Sequence, residues 1–127
     1  MTVSGQTALR SDGSLRHTGW VGEGGLSTAQ ARECAWQCAL NVLVVLEREL
    51  GGLDRIAQVD RVTVYVASAP GFTDQHLVAD AATEAFLRVL GERGAHARTA
   101  LGVAALPTGS PTEVDAVVRL RTREVAD

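Results

Sequence analysis

Two charged residues near the carboxyl end of the sequence stand in mostly apolar surroundings. Arg98 is the second residue of the run ARTALGVAAL, and Glu113 is the first residue of the run EVDA. In an extended chain Arg98 shares its face with small residues such as Ala100, and a planar cation beside open volume can hold a carboxylate through two parallel hydrogen bonds. Two plainer interpretations stay open: Arg98 is salt-bridged to a neighbouring acid, and Glu113 faces solvent in a strand that alternates polar residues.

The segment PTGSP at 107–111 predicts a turn that joins these two runs as a hairpin. In that register Arg98 lies opposite about Leu120, and Glu113 lies opposite about Ala105. The two charges are then separated by roughly 23 Å, since a strand rises about 3.3 Å per residue. The hairpin therefore predicts that the charges cannot meet within one chain and that a site using both lies between subunits.

Other side chains restrict the possible chemistry. All twelve basic residues are arginine, so no lysine can form a Schiff base with a carbonyl substrate. Cys34 and Cys38 share one face of a helix, but two thiols with no histidine at the right spacing make a poor zinc site, and we interpret them as small buried residues. His17, His76 and His96 are scattered and are expected at the surface or at strand ends.

The composition predicts one globular domain over residues 1–127. The chain is 46% hydrophobic and 21% charged, which is ordinary for such a domain. A net charge of -3 provides no attraction to a phosphate backbone and disfavours a partner nucleic acid. The apolar runs are much shorter than the roughly 20 residues that cross a bilayer, and no leader precedes the first strand, so we expect a cytoplasmic protein without membrane association.

Hydrophobic periodicity predicts the secondary-structure elements. Two short strands are expected at 1–8 and 15–21, and a first helix begins at Ser27, which forms a capping box with Gln30, and ends at Gly51. A strand with strict alternation follows at 61–66. The second helix spans about 73–90, and two strands follow it. Its apolar face is predicted to contain Leu77, Ala81, Ala85, Leu87 or Phe86, and Val89.

This order of elements predicts an α+β domain with a mixed sheet and both helices on one face. No third helix is available for the other face of the sheet. We therefore expect a partner chain to cover that face, which predicts an oligomer.

Several segments together resemble the RidA/YjgF family. They are SGQ at 4–6, CALN at 38–41, GLDR at 52–55, FTDQ at 72–75, HARTALGVAALP at 96–107 and EVDA at 113–116. The match runs through nearly the whole chain with its spacings kept. The His-Ala-Arg form at 96–98 resembles a less characterised branch of that family.

The resemblance implies a chorismate-mutase-like fold that assembles as a homotrimer, with sites in clefts between subunits. It implies hydrolysis of reactive imines and enamines, such as 2-aminoacrylate, to 2-keto acids and ammonia, without a metal or an organic cofactor. Arg98 matches the arginine that holds the substrate carboxylate, and Glu113 matches the glutamate that positions water. Ser4 and Gly5 match a strand that lines the site, and Ala100 lies beside the arginine in the substrate-binding pocket.

The sequence departs from the family pattern at three places. Ala100 replaces a cysteine of well-studied members, and Asp80 replaces a pocket asparagine and would repel a carboxylate. Family chains usually carry another strand before the SGQ motif, so the sequence predicts a short amino terminus. A non-catalytic trimer that binds small carboxylate metabolites is therefore the alternative function. A ribonuclease is disfavoured, because the chain is acidic and has no histidine pair placed for RNA cleavage.

Overall fold

A computed structural model of the chain describes residues 1–122 and has four strands and two helices in that part. In chain order they are β1 (Thr2–Thr7), α1 (Thr28–Leu50), β2 (Ile56–Ala67), α2 (Gln75–Leu90), β3 (Ala97–Val103) and β4 (Thr112–Leu120). Short 3₁₀ turns follow α2 at Gly91–Gly94 and precede β4 at Pro107–Gly109.

The four strands form one mixed sheet in the order β1-β4-β2-β3. Strand β3 runs parallel to β2, whereas β4 runs antiparallel to both β1 and β2. The core lies between the helices and one face of this sheet, where Val62, Val64 and Val66 of β2 are fully buried. The predicted α+β class, with a mixed sheet and two helices on one face, is confirmed.

Helix α1 begins and ends where the sequence predicts. The Ser27 hydroxyl accepts a hydrogen bond from the Gln30 amide at 3.1 Å, and the Gln30 side chain accepts one from the Ser27 amide at 3.0 Å. Gly51 ends the helix in the left-handed conformation, with φ 72°. The predicted buried stripe includes Cys34 and Cys38, and both thiols are free and buried. Their interpretation as small core residues is confirmed.

The apolar face of α2 differs from the prediction. Ala81, Ala85 and Phe86 are buried as expected, but the large residues Leu77, Leu87 and Val89 are 39–44% exposed. The buried stripe is instead completed by the smaller residues Val78, Ala79 and Ala82, together with Leu90. Small side chains let α2 approach the face of α1 that is also rich in small residues. Close packing of the two helices therefore decided which face of α2 is buried, and the hydrophobicity of its larger residues did not.

The predicted hairpin is wrong. Strands β3 and β4 do not pair, because β2 lies between them and hydrogen-bonds to both. The chain from 104 to 111 crosses the end of β2, where the Ala67 amide donates to the Pro111 carbonyl and the Ser68 amide donates to the Val103 carbonyl. This segment is longer than a tight hairpin loop and spans the width of one intervening strand, about 10 Å.

Two further boundaries differ from the sequence-based prediction. The segment 15–21 is not a strand, and its only sheet-like pairing is a pair of isolated bridges from Val21 to Leu26 and to Ser68. Strand β2 begins at Ile56, five residues before the alternating stretch that predicted it. Irregularities in its pairing with β4 between 56 and 61 interrupt the alternation that a sequence pattern can detect.

The second face of the sheet is more exposed than the helix-packed face. Thr63, Tyr65 and Asp115 on that face are only partly buried, and Leu101 and Val117 are 36% and 37% exposed. Within residues 1–122 both helices lie on the opposite face. A partner chain over this surface stays a prediction.

The capping box yields a stability test. Ser27→Ala removes the side-chain acceptor for the Gln30 amide and should lower the free energy of unfolding by about 1 kcal/mol, measured by urea denaturation. Ser11→Ala is the control, because Ser11 is exposed and its side chain makes no hydrogen bond within the described chain. Equal denaturation midpoints for the two variants would contradict the capping role.

Candidate functional site

Arg98 lies on edge strand β3 with its side chain toward α2. Its Cα is level with Val62 of β2, whose side chain is buried under the helices. Guanidinium Nη1 donates to Asp80 Oδ1 at 2.9 Å and to Thr83 Oγ1 at 3.0 Å, and Nη2 donates to the His76 carbonyl at 3.3 Å. The salt-bridge interpretation that the sequence left open is therefore correct for one end of the guanidinium.

The other edge of the guanidinium remains available. Arg98 Nε donates to no acceptor in the described chain, and Nη2 holds a single long hydrogen bond. Because Nε–H and one Nη2–H point in parallel, this edge can bind a carboxylate with two hydrogen bonds. The side chain is 23% exposed, so solvent reaches part of it while Asp80 and Thr83 hold Nη1 in place.

The surroundings of this edge are more polar than the sequence suggested. Ala100 is half-buried on the same face, and Gly102 lies next to Gln75 and Ser68. A Cβ at Gly102 would come within 2.9 Å of the Gln75 amide nitrogen and 3.1 Å of the Ser68 hydroxyl. Gly102 therefore makes room for these polar groups, so that the face of β3 that carries Arg98 is not purely apolar.

A chain of hydrogen bonds through His96 and Thr83 (the His96 relay) holds the Nη1 end of Arg98. His96 Nδ1 lies 2.6 Å from the Gly94 carbonyl, so Nδ1 carries the proton and donates it. His96 Nε2 then accepts from the Thr83 hydroxyl at 3.0 Å, and that hydroxyl accepts from Arg98. Burial lowers the pKa of His96 below its usual 6.5, and the Arg98 cation lowers it further, against the opposing effect of the Gly94 bond. A neutral His96 thus fixes the direction of the relay.

Glu113 lies on the opposite face of the sheet. It is level with Tyr65, which alternates with the buried valines of β2 and points away from the helices. The Tyr65 hydroxyl donates to Asp115 Oδ2 at 2.8 Å, and this bond, with partial burial, raises the pKa of Tyr65. The two carboxylates and the phenol form a polar group on the more exposed face.

The SGQ motif contributes a bulge beside Glu113. Val3 pairs with Ala116 and Gln6 pairs with Val114, so Ser4 and Gly5 together oppose a single residue of β4. Such a bulge leaves backbone groups outside the ladder, where they can bind a ligand. A Cβ at Gly5 would lie 2.5 Å from Glu113 Oε2, so the absence of a side chain there permits the observed position of the carboxylate.

Arg98 and Glu113 do not meet within one chain. Arg98 is level with Val62 and Glu113 with Tyr65, on strands that flank β2. The two Cα atoms are therefore about 10 Å apart along the strands and about 10 Å across them, with side chains on opposite faces. The predicted separation of the two charges within one chain is confirmed, but the hairpin from which it was predicted is wrong, and a site between subunits stays a prediction.

Sequence reasoning missed Thr83, Tyr65 and Asp115. No local pattern marks Thr83, because its role depends on where α2 crosses β3. The alternation that placed Tyr65 on one face of its strand was a usable signal for Tyr65 and Asp115. To use that signal, one would have had to know that β4 pairs with β2 and not with β3.

The environments of the two cysteines and of the other possible metal ligands do not favour chemistry in the described chain. Burial raises the pKa of Cys34 to about 11 and that of Cys38 to about 12, so both thiols are protonated at neutral pH. Within residues 1–122, no group of three or more His, Cys, Asp or Glu side chains is arranged to hold a metal ion. A cavity of about 220 Å³ lies against α1, and neither Arg98 nor Glu113 lines it. Neither helix of the described chain combines the length and apolarity needed to span a membrane.

Comparison with known proteins gives matches over almost the full chain. The family model described as endoribonuclease L-PSP matches residues 1–120. Protein TCP17 of Trypanosoma cruzi is 43% identical over 119 residues, which cover 93% of this chain and 73% of that protein. The crystal structure of protein Atu1372 from Agrobacterium tumefaciens superposes with a TM-score of 0.89 at 41% identity, covering 94% of this chain and 75% of that one.

More distant structures share the fold. The crystal structure of RidA from a Psychrobacter species has a TM-score of 0.59 at 24% identity, covering 92% of this chain and 77% of that one. At this identity the likeness concerns the arrangement of helices and strands alone.

The His96 relay gives a pH-dependent stability test. Because folding lowers the pKa of His96, the unfolded chain binds a proton more readily, and stability should fall as the pH drops below about 6.5. His96→Asn removes the titrating ring and should flatten this part of the curve of thermal midpoint against pH. His76→Asn is the control, since His76 is exposed, and should retain the wild-type slope. An unchanged slope in His96→Asn would contradict the assignment.

Proposed function

Because the chain belongs to the RidA/YjgF family, we infer that it hydrolyses small reactive 2-imino and enamine acids to 2-keto acids and ammonia. The sites would lie in clefts between the subunits of a homotrimer, with Arg98 from one subunit and Glu113 from its neighbour. No metal or organic cofactor is required for this chemistry, since water attacks an already electrophilic carbon.

The observation that carries the proposal is the guanidinium of Arg98, which is hydrogen-bonded through Nη1 and Nη2 but has no acceptor at Nε in the described chain. Asp80, Thr83 and the His76 carbonyl hold Nη1 and Nη2, while Nε has no acceptor in the described chain. A substrate carboxylate that binds the Nε and Nη2 edge would find its partner already oriented. Ala100 leaves room beside that edge for the carbon skeleton of a small substrate.

Glu113 would supply the acid–base chemistry. An enamine first tautomerises to the imine, whose protonated form is attacked at C2 by water. The Glu113 carboxylate takes a proton from that water as the C–O bond forms, and it returns the proton to the nitrogen as the C–N bond breaks. Ammonia leaves as the hydroxyl on C2 gives up its proton to solvent water and becomes the carbonyl, so that a 2-keto acid remains. Backbone groups at the Ser4–Gly5 bulge are available to bind the substrate next to this carboxylate.

A subunit interface is needed to complete such a site. Arg98 and Glu113 point away from opposite faces of the same sheet, so one chain cannot direct both at one substrate. The exposed apolar residues Leu101 and Val117 lie on the face of the sheet that carries Glu113. A neighbouring subunit on that face would bring a second Arg98 toward Glu113 while covering apolar surface.

One observation favours the alternative of a non-catalytic binder of small carboxylates. Asp80 already neutralises Arg98 at 2.9 Å, so the guanidinium attracts an anion less strongly than an unpaired one would. Weak, reversible binding without turnover is the behaviour expected of a metabolite sensor. The catalytic test therefore includes a binding measurement.

The central test is ammonia release from an imine generated in situ by an amino-acid oxidase. Arg98→Ala should lower kcat/KM by about a hundredfold, because a charge-assisted carboxylate contact is worth about 1.5–3 kcal/mol. Glu113→Gln should lower kcat by about 10²–10⁴-fold through loss of acid–base catalysis.

Arg32→Ala is a matched control for Arg98→Ala. Arg32 also pairs with an acid of α2, Glu84, and donates to a carbonyl of that helix, Leu77, so its variant should keep wild-type activity. Equal rates for the wild type, Arg98→Ala and Glu113→Gln would refute the deaminase, and binding of a 2-keto acid without turnover would favour the sensor. Sedimentation as a stable monomer would exclude a site between subunits.

The contact between Gly5 and Glu113 gives a separate prediction. Gly5→Ala forces the Glu113 carboxylate out of its observed position, so kcat should fall by about tenfold to a hundredfold while KM changes little. The double variant Gly5→Ala/Glu113→Gln should be no slower than Glu113→Gln alone, because both changes act on one group. Additive losses in kcat would show that Gly5 acts independently of Glu113.

A further inference from the structure

We propose that Asp80 is a specificity-determining residue, which makes the Arg98 site select ligands that carry a positively charged nitrogen beside their carboxylate. Such ligands are 2-iminium acids and 2-ammonium acids, and the disfavoured ones are simple anions such as 2-keto acids. The inference rests on the proposed carboxylate site at Arg98 and names the substrate charge that this site prefers.

Asp80 is only partly used by its ion pair. Its Oδ1 accepts from Arg98 Nη1 at 2.9 Å, and its Oδ2 accepts from no donor in the described chain. The Asp80 side chain is 45% exposed, compared with 23% for Arg98. A partly exposed carboxylate with one oxygen unpaired in the described chain therefore adjoins the same guanidinium whose Nε and Nη2 edge is open to a ligand.

The nearby groups leave the site close to neutral. Asp80 balances Arg98, Glu84 one turn farther along α2 pairs with Arg32 at 3.0 Å, and His96 is held in its neutral form behind Thr83. A ligand with one negative charge gains from Arg98 and loses to Asp80. A ligand with both charges can place its carboxylate on the guanidinium edge and its nitrogen toward Asp80, so both interactions are favourable.

This charge pattern distinguishes substrate from product in the proposed reaction. The protonated imine carries a positive nitrogen on C2, and the 2-keto acid carries a neutral oxygen at the same position. Asp80 therefore favours the reactant over the product of the same carbon skeleton. Release of the 2-keto acid is promoted by the residue that attracts the iminium.

The test compares two stable ligands of one skeleton, L-2-aminobutyrate and 2-ketobutyrate, by isothermal titration calorimetry on the intact protein. The wild type should bind the amino acid more tightly than the keto acid. Asp80→Asn keeps the shape and a polar contact to Arg98 but removes the charge. It should lower the ratio of amino-acid to keto-acid affinity by about tenfold, which corresponds to about 1.4 kcal/mol.

Glu84→Gln is the matched control, because it removes a partly exposed, arginine-paired charge from the same helix, and it should leave the affinity ratio unchanged. A wild-type ratio retained in Asp80→Asn would overturn the role of Asp80 while leaving the carboxylate site intact. Absence of binding of both ligands to the wild type, or equal binding to Arg98→Ala, would overturn the carboxylate site itself, and with it this inference.

Discussion

The position of β2 in the middle of the sheet is the constraint on which the rest of the structure depends. Val62, Val64 and Val66 of this strand are fully buried beneath the helices, and both of its edges are hydrogen-bonded, to β3 on one side and to β4 on the other. With β2 between them, the two carboxyl-terminal strands cannot pair. The register of β2 with each neighbour also decides which side chains of those strands face the helices and which face away.

That register separates the two charges of the proposed site. Arg98 follows Val62 to the helix-packed face, where α2 supplies Asp80 and Thr83, and Glu113 follows Tyr65 to the other face. The backbone geometry of a sheet imposes this separation, because adjacent side chains in a strand point to opposite faces. A reaction that uses both groups therefore depends on the way in which subunits associate.

A structural ion pair and the proposed carboxylate-binding edge belong to the same side chain, Arg98. Its ion pair with Asp80 and the relay through Thr83 and His96 use one end of the guanidinium, which immobilises it and partly cancels its charge. The remaining edge keeps the directional hydrogen bonds that a carboxylate needs. The two interpretations that the sequence allowed, a structural salt bridge and a carboxylate anchor, are therefore compatible.

The sequence alone determined the class of the fold, the capped ends of α1, the buried cysteines and the family, because each depends on local periodicity or on a motif with kept spacings. Only the tertiary structure decided that β2 separates β3 from β4, that alanines of α2 are buried while Leu77 and Leu87 are exposed, and that Asp80 contacts Arg98. Strand order and helix packing are settled by long-range pairing and by how closely two surfaces can approach. Residues that are distant in the chain make those contacts, and local sequence patterns contain no record of them.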